Sequence, residues 1–138
     1  MKKLFIIFSL VSLLISCKAE DKQHTQLIMY KQSEMAALMN TMYYINLDLK
    51  KNIVEGKTLG FFPERYLKIH TATLTDSTDR TSSFKKFSNL YIQNMKKVYT
   101  SSADSLKSTF NKAVNSCIAC HQTTCLGPIP RIKKLLIR

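Results

Sequence analysis

The chain has 138 residues and 15.8 kDa, and its 21 Lys and Arg against 9 Asp and Glu give a formal net charge of +12. One domain is expected at this length, and only 3 glycines and 3 prolines argue against turn-rich β folds and low-complexity disorder. The basic excess is typical of proteins that bind nucleic acid, anionic lipid or acidic partners, and it does not select one of them.

The N-terminus has the pattern of a secretory signal. Lys2 and Lys3 precede a largely apolar run from Leu4 to Ile15. This run is shorter than the ~20 residues that a membrane-spanning helix needs. Residues 14–17, Leu-Ile-Ser-Cys, resemble the lipobox of bacterial lipoproteins. A plain signal peptide or a short anchor helix is the alternative interpretation.

The lipoprotein resemblance implies that residues 1–16 are removed and that Cys17 is acylated. Two or more acyl chains hold a protein stably at a membrane surface, so the expected location is the bacterial cell envelope, at the periplasmic face or the cell surface. The polar residues 17–24 are predicted to form a tether. Export also places the other cysteines in oxidising surroundings.

Apolar residues recur at helical spacing through the rest of the chain. The first predicted helix runs from about Thr25 to Glu55, a shorter second one starts at Pro63, and a loop covers residues 71–81. A third helix follows, and Ser102 is a candidate N-cap of the fourth. The apolar stripes consist of Met35, Leu38, Met42, Ile45 and Leu49; Tyr66, Leu67, His70 and Leu74; Phe84, Phe87, Tyr91, Met95 and Val98; and Leu106, Phe110, Ala113, Cys117 and Cys120. The predicted fold is all-α, an antiparallel four-helix bundle spanning residues 25–125.

The cysteines of the fourth helix carry the most specific motif of the sequence. Residues 117–121 read Cys-Ile-Ala-Cys-His, which is the attachment pattern of a c-type haem. Two thiols at this spacing add to the two vinyl groups of the porphyrin, and the adjacent imidazole becomes the proximal iron ligand. Cys117 and Cys120 are therefore predicted to bind one haem c covalently, with His121 on the iron.

Three alternatives to haem remain at this point. Cys117, Cys120, His121 and Cys125 together make a Cys₃His set of the kind that binds zinc, although zinc sites usually draw their ligands from two separated segments. Cys117 and Cys120 make a candidate redox pair, although no βαβ pattern surrounds them. The third alternative is a chance occurrence of the motif.

Two motifs together resemble the cytochrome c′ and cytochrome c-556 family. The first is a haem attachment motif close to the C-terminus of a four-helix chain. The second is residues 30–35, Tyr-Lys-Gln-Ser-Glu-Met, which are similar to the family's first-helix pattern of Tyr-Arg-Gln-Ser, any residue, then Leu or Met. The resemblance spans residues 25–125. It implies a monohaem electron carrier, and not an enzyme, that exchanges single electrons in the envelope.

Met35 occupies the position that faces the distal side of the haem in that family. A methionine there resembles the six-coordinate, low-spin branch, and ligation would raise the reduction potential. Simple core packing of Met35 is the alternative. It would leave either an open distal side, as in proteins that bind nitric oxide or carbon monoxide, or another ligand. His70 is the main competitor, and His24 in the tether is a poor candidate.

Cys125 and the C-terminal tail depart from the family pattern. The family often has a basic residue where Cys125 stands. The alternatives for Cys125 are a disulfide that joins two subunits of a homodimer, the holding of a second ligand, or a buried thiol. A buried or semi-buried thiol is preferred because free cysteines usually behave as small apolar residues.

The tail, residues 126–138, is basic, and the simplest expectation for it is a solvated extension that wraps the haem end of the molecule. No acid follows Asp104, so an acidic redox partner is expected to meet this end of the molecule. Nucleic acid is not expected for an exported lipoprotein without a binding motif.

Overall fold

The computed structural model describes residues 31–138, which form an all-α unit without any strand. The predicted signal, Cys17, the tether and His24 lie outside the described residues. The elements, in chain order, are α1 (Glu34–Val54), the 3₁₀ helices η1 (Glu64–His70) and η2 (Ser77–Asp79), α2 (Ser82–Val98), α3 (Ala103–Thr124) and α4 (Ile129–Lys133). Within residues 31–138, none of the helices combines the length and the hydrophobicity that spanning a bilayer requires.

Helix α1 begins later than the periodicity predicts. Ser33 has an extended backbone, and its hydroxyl accepts a hydrogen bond from the Ala36 N–H (3.1 Å), which makes it the N-cap. Residues 31–33 are therefore not helical, and a helix that starts at about Thr25 is wrong for this stretch. The predicted stripe of α1 faces the core, except that Ile45 is only partly buried and Asn46 is fully buried.

The second predicted helix is a 3₁₀ segment rather than an α-helix. Its hydrogen bonds run from residue i to i+3, as in the Tyr66 N–H bond to the Pro63 carbonyl (3.0 Å). The tighter winding rotates the buried face, so Tyr66 and Ile69 enter the core, whereas Leu67 is only partly buried and His70 is exposed.

Helices α2 and α3 pack against each other more extensively than any other pair of elements. They are joined by four residues, 99–102, and a buried hydrogen bond links Asn94 to Ser116 (2.7 Å). Ser102 is the N-cap residue of α3, as predicted, but its hydroxyl lies 3.0 Å from that of Ser105 and does not cap a backbone N–H.

The C-terminal tail is part of the core, so the expectation of a solvated extension is wrong. Ile132, Leu135 and Ile137 are each at most 8% exposed. Asn111 of α3 pairs with the backbone of Ile137 in both directions (2.8 Å each). The Lys50 ammonium donates to two further carbonyls of the tail (2.8 Å each). These contacts lay the tail along α1 and α3.

Candidate haem attachment site

The residues of the attachment motif lie together on the last two turns of α3. Cys117, Cys120 and His121 stand at positions i, i+3 and i+4, which places them on one side of a helix. All three are partly buried. Phe110 and Ala113, earlier on the same side, are fully buried, and Cys117 packs against the core. The predicted apolar stripe therefore reaches the core as far as Cys117, whereas Cys120 is not among the side chains that pack against the core cluster.

His121 is held by the end of its own helix. Its Nδ1 lies 3.0 Å from the carbonyl oxygen of Cys125. A carbonyl can only accept, so Nδ1 carries the proton and Nε2 presents a lone pair. This is the form in which a metal-binding histidine is usually fixed, with one nitrogen on a backbone carbonyl and the other on the metal. The imidazole is therefore suited to hold an iron through Nε2.

The thiol of Cys117 is directed inward. Its Sγ lies 3.7 Å from the Ala113 carbonyl, and burial raises the pKa of this thiol to about 12. Burial also raises the pKa of Cys120. Redox-active dithiols depend on a lowered thiol pKa, so this environment argues against the alternative of a redox pair. No disulfide joins Cys117, Cys120 or Cys125.

A buried polar network lies beside Cys117. The Tyr66 hydroxyl donates to Asn46 Oδ1 (2.8 Å), and Asn46 Nδ2 donates to the Tyr91 hydroxyl (3.1 Å). Burial raises the pKa of Tyr91, and the neighbouring Cys117 adds to this effect. In the sequence, the one indication of this network is the polar Asn46 next to the apolar stripe of α1. The sequence does not indicate that Tyr66 and Tyr91 are its partners.

The distal candidates have different environments. Met35, in the first turn of α1, is 6% exposed and belongs to the same core cluster against which Cys117 packs. Its N–H bonds to the carbonyl of Thr73 (2.9 Å). His70 is exposed, with Nδ1 3.4 Å from the Ser88 hydroxyl.

Cys125 is exposed, so the preferred expectation of a buried thiol is wrong. The reason is that α3 ends at Thr124, and Cys125 has an extended backbone (φ −146°, ψ 93°) that turns its carbonyl toward His121.

Within residues 31–138, no three His, Cys, Asp or Glu side chains are grouped so as to hold a metal ion. The Cys₃His set is therefore not assembled as a zinc site.

A groove of about 740 Å³ lies between α1 and η1, away from the motif. Its lining residues are Glu34, Ala37, Leu38, Thr41, Glu64, Arg65, Lys68 and Ala72. The chemistry of the attachment motif fits a covalently bound haem, whereas this groove offers neither a thiol nor an imidazole.

Comparisons with known proteins found no matching family model, no matching curated protein and no matching solved structure.

Proposed function

We propose that this protein is a c-type cytochrome with one haem c that transfers single electrons in the bacterial cell envelope. Cys117 and Cys120 would hold the porphyrin through thioether bonds, and His121 would hold the iron. The proposal includes an antiparallel four-helix bundle of the cytochrome c′ type, with η1 in the place of the second helix. It makes the protein an electron carrier and not an enzyme.

The observation that carries the proposal is the state of His121. The attachment motif alone predicts a ligand, and the bond from Nδ1 to the Cys125 carbonyl gives that ligand a defined tautomer with Nε2 available. Cys117 lies about one helical turn before His121, and Cys120 is the residue directly before it. Their thiols supply the two covalent attachment points.

When bound, the haem would supply a one-electron iron couple. The residues of the chain would then set its surroundings. The Asn46 network keeps the region beside Cys117 fully hydrogen-bonded without water, since the described residues contain no buried side-chain nitrogen or oxygen that lacks a partner. Hydrogen bonds and burial around an iron site influence its reduction potential.

Met35 is the distal ligand in this proposal. Its burial in the core cluster is compatible with ligation and with packing alone, so spectroscopy has to distinguish them. An iron with both His121 and Met35 bound has no free position for carbon monoxide. The ferrous spectrum of the wild type should therefore be that of a low-spin, six-coordinate haem and should not change when carbon monoxide is added.

The variant Met35→Ala should become high-spin and bind carbon monoxide, whereas Met39→Ala, a partly buried neighbour on the same helix, should behave as wild type. Rapid binding of carbon monoxide by the wild type would instead support the gas-binding alternative. An unaltered spectrum in Met35→Ala would show that the ligand is another residue, and His70→Ala would then be the next variant.

The membrane anchor at Cys17 and the acidic redox partner are parts of the same proposal. Residues 81–138 contain ten Lys and Arg against Asp104 as the one acid. Between residues 31 and 138 the structure has one ion pair, Lys57 with Glu55 (2.6 Å). Apart from Arg131, which binds Asn40 and Tyr43, the cations of the C-terminal half are available to attract an acidic surface. The electron-transfer rate with such a partner should fall as salt rises.

A further inference from the structure

The carbonyl that orients His121 belongs to the residue where α3 ends. The Cys125 N–H still bonds to the His121 carbonyl (3.1 Å), and the Cys125 carbonyl accepts from His121 Nδ1 (3.0 Å). The second of these bonds requires the extended backbone of Cys125.

The segment that follows is fixed at its far side by Arg131. The Arg131 guanidinium donates to Asn40 Oδ1 (2.7 Å) and lies over the ring of Tyr43, 3.9 Å from the centroid. The ring of Tyr44 is 5.2 Å away. Arginine combines a planar hydrogen-bonding fork with stacking on aromatic rings, so this side chain clamps α4 onto α1.

The connection between Cys125 and Arg131 is short and contains two prolines. Five residues separate them, and two of these are Pro128 and Pro130, which fix their own backbone φ angles. The Ile129 N–H bonds to the Leu126 carbonyl (3.1 Å) and closes a turn between the two ends. The docked position of Arg131 therefore limits the positions that the backbone of Cys125 can adopt.

We propose that residues 126–138, which we call the C-terminal strap, position the proximal ligand, and that Arg131 is the positioning residue. Docking of Arg131 on Asn40 and Tyr43 holds the Cys125 carbonyl against His121, which fixes the tautomer and strengthens the imidazole as an iron donor. This inference rests on the proposed function for its effect on the iron, but the effect on the tautomer of His121 does not depend on haem.

The test compares Arg131→Met, which removes the clamp, with Lys133→Met, an exposed cation of the same helix. The first readout is ¹⁵N NMR of His121 in the full chain without haem, at a pH where the imidazole is neutral. Wild type and Lys133→Met should show the proton on Nδ1. Arg131→Met should lose this preference and shift toward the Nε2–H form. Arg131→Lys, which keeps the charge but lacks the planar fork, should lie between them.

The second readout is the reduction potential of the haem-loaded protein. A weaker imidazole donor stabilises ferric iron less, so Arg131→Met should raise the potential, and Lys133→Met should leave it unchanged. An Arg131→Met protein with the wild-type tautomer would overturn the inference. If Arg131→Met does not accumulate in the cell, Asn40→Ala removes the hydrogen-bond partner of Arg131 instead. This variant is judged by the same two readouts, the tautomer of His121 and the reduction potential. If the wild type binds no haem but Arg131→Met still shifts the tautomer of His121, the proposed function is refuted and the positioning role of the C-terminal strap is supported.

Discussion

Asn46 connects the two buried tyrosines of the core. Its side chain accepts from Tyr66 and donates to Tyr91, and it is only 2% exposed. Replacement by alanine would leave both hydroxyl groups buried without this partner. A buried polar group that loses its partner costs about 1–3 kcal/mol. We expect Asn46→Ala to lower the free energy of unfolding by at least this amount in urea denaturation.

The control for this variant is Asn115→Ala, because Asn115 is also in a helix interior but exposed. It should change the free energy of unfolding by less than about 0.5 kcal/mol. Equal effects of the two variants would mean that the network contributes nothing specific to stability.

Glu34 gives the stability an acid-dependent component. Hydrogen bonds from the N–H and the hydroxyl of Thr73 (2.9 and 3.2 Å) lower the pKa of this carboxyl below 4.5. A group whose pKa is lower in the folded state stabilises the protein above its unfolded pKa, and this stabilisation is lost as the pH falls through the folded value.

The free energy of unfolding should therefore fall less steeply below about pH 4.5 in Glu34→Gln than in wild type. Glu64→Gln removes the same charge from the first turn of η1 and is the control for the loss of charge alone. Titration of stability by urea unfolding at several pH values measures both. Identical slopes in wild type and Glu34→Gln would contradict the assignment.

At the scale of the helices, the two N-caps Thr81 and Ser102 provide a matched comparison. The Thr81 hydroxyl accepts from the Phe84 N–H (3.1 Å), whereas Ser102 makes no such bond. Loss of an N-cap hydrogen bond costs about 1 kcal/mol. We expect Thr81→Ala to destabilise the protein by this amount and Ser102→Ala by clearly less. Equal melting temperatures for the two variants would contradict the difference in capping.

The C-terminal strap contributes to stability through its buried leucine. Leu135 is 2% exposed, while Leu126, in the same segment, is 66% exposed. Truncating a buried leucine to alanine costs about 2–5 kcal/mol. Leu135→Ala should lower the free energy of unfolding within that range, and Leu126→Ala should have little effect. A small effect of Leu135→Ala would show that the strap is not packed in solution.

Over the whole molecule, the sequence predicted what local periodicity determines. The stripes of α1, α2 and α3 were recognisable because one face of each helix is apolar at spacings of three and four. Cys117 and Cys120 were placed on the stripe of α3 for the same reason.

Sequence reasoning failed where long-range contacts decide the structure. The strap has apolar residues at 129, 132, 135 and 136, a helical spacing, but its basic residues suggested a solvated tail. Its docking depends on Arg131 meeting Tyr43, 88 positions earlier in the chain. The exposure of Cys125 follows from the extended backbone with which α3 ends. None of these is encoded in a local pattern.

The central claim is that Cys117 and Cys120 carry one haem. The intact mass of the denatured protein, purified from a bacterium that matures c-type cytochromes, tests it most directly, with the double variant Cys117→Ser/Cys120→Ser from the same host as the reference. We expect the wild type to exceed this reference by the mass of one haem, after correction for the substitutions, and Cys125→Ser to retain that haem. A wild-type chain without the added mass would contradict the account.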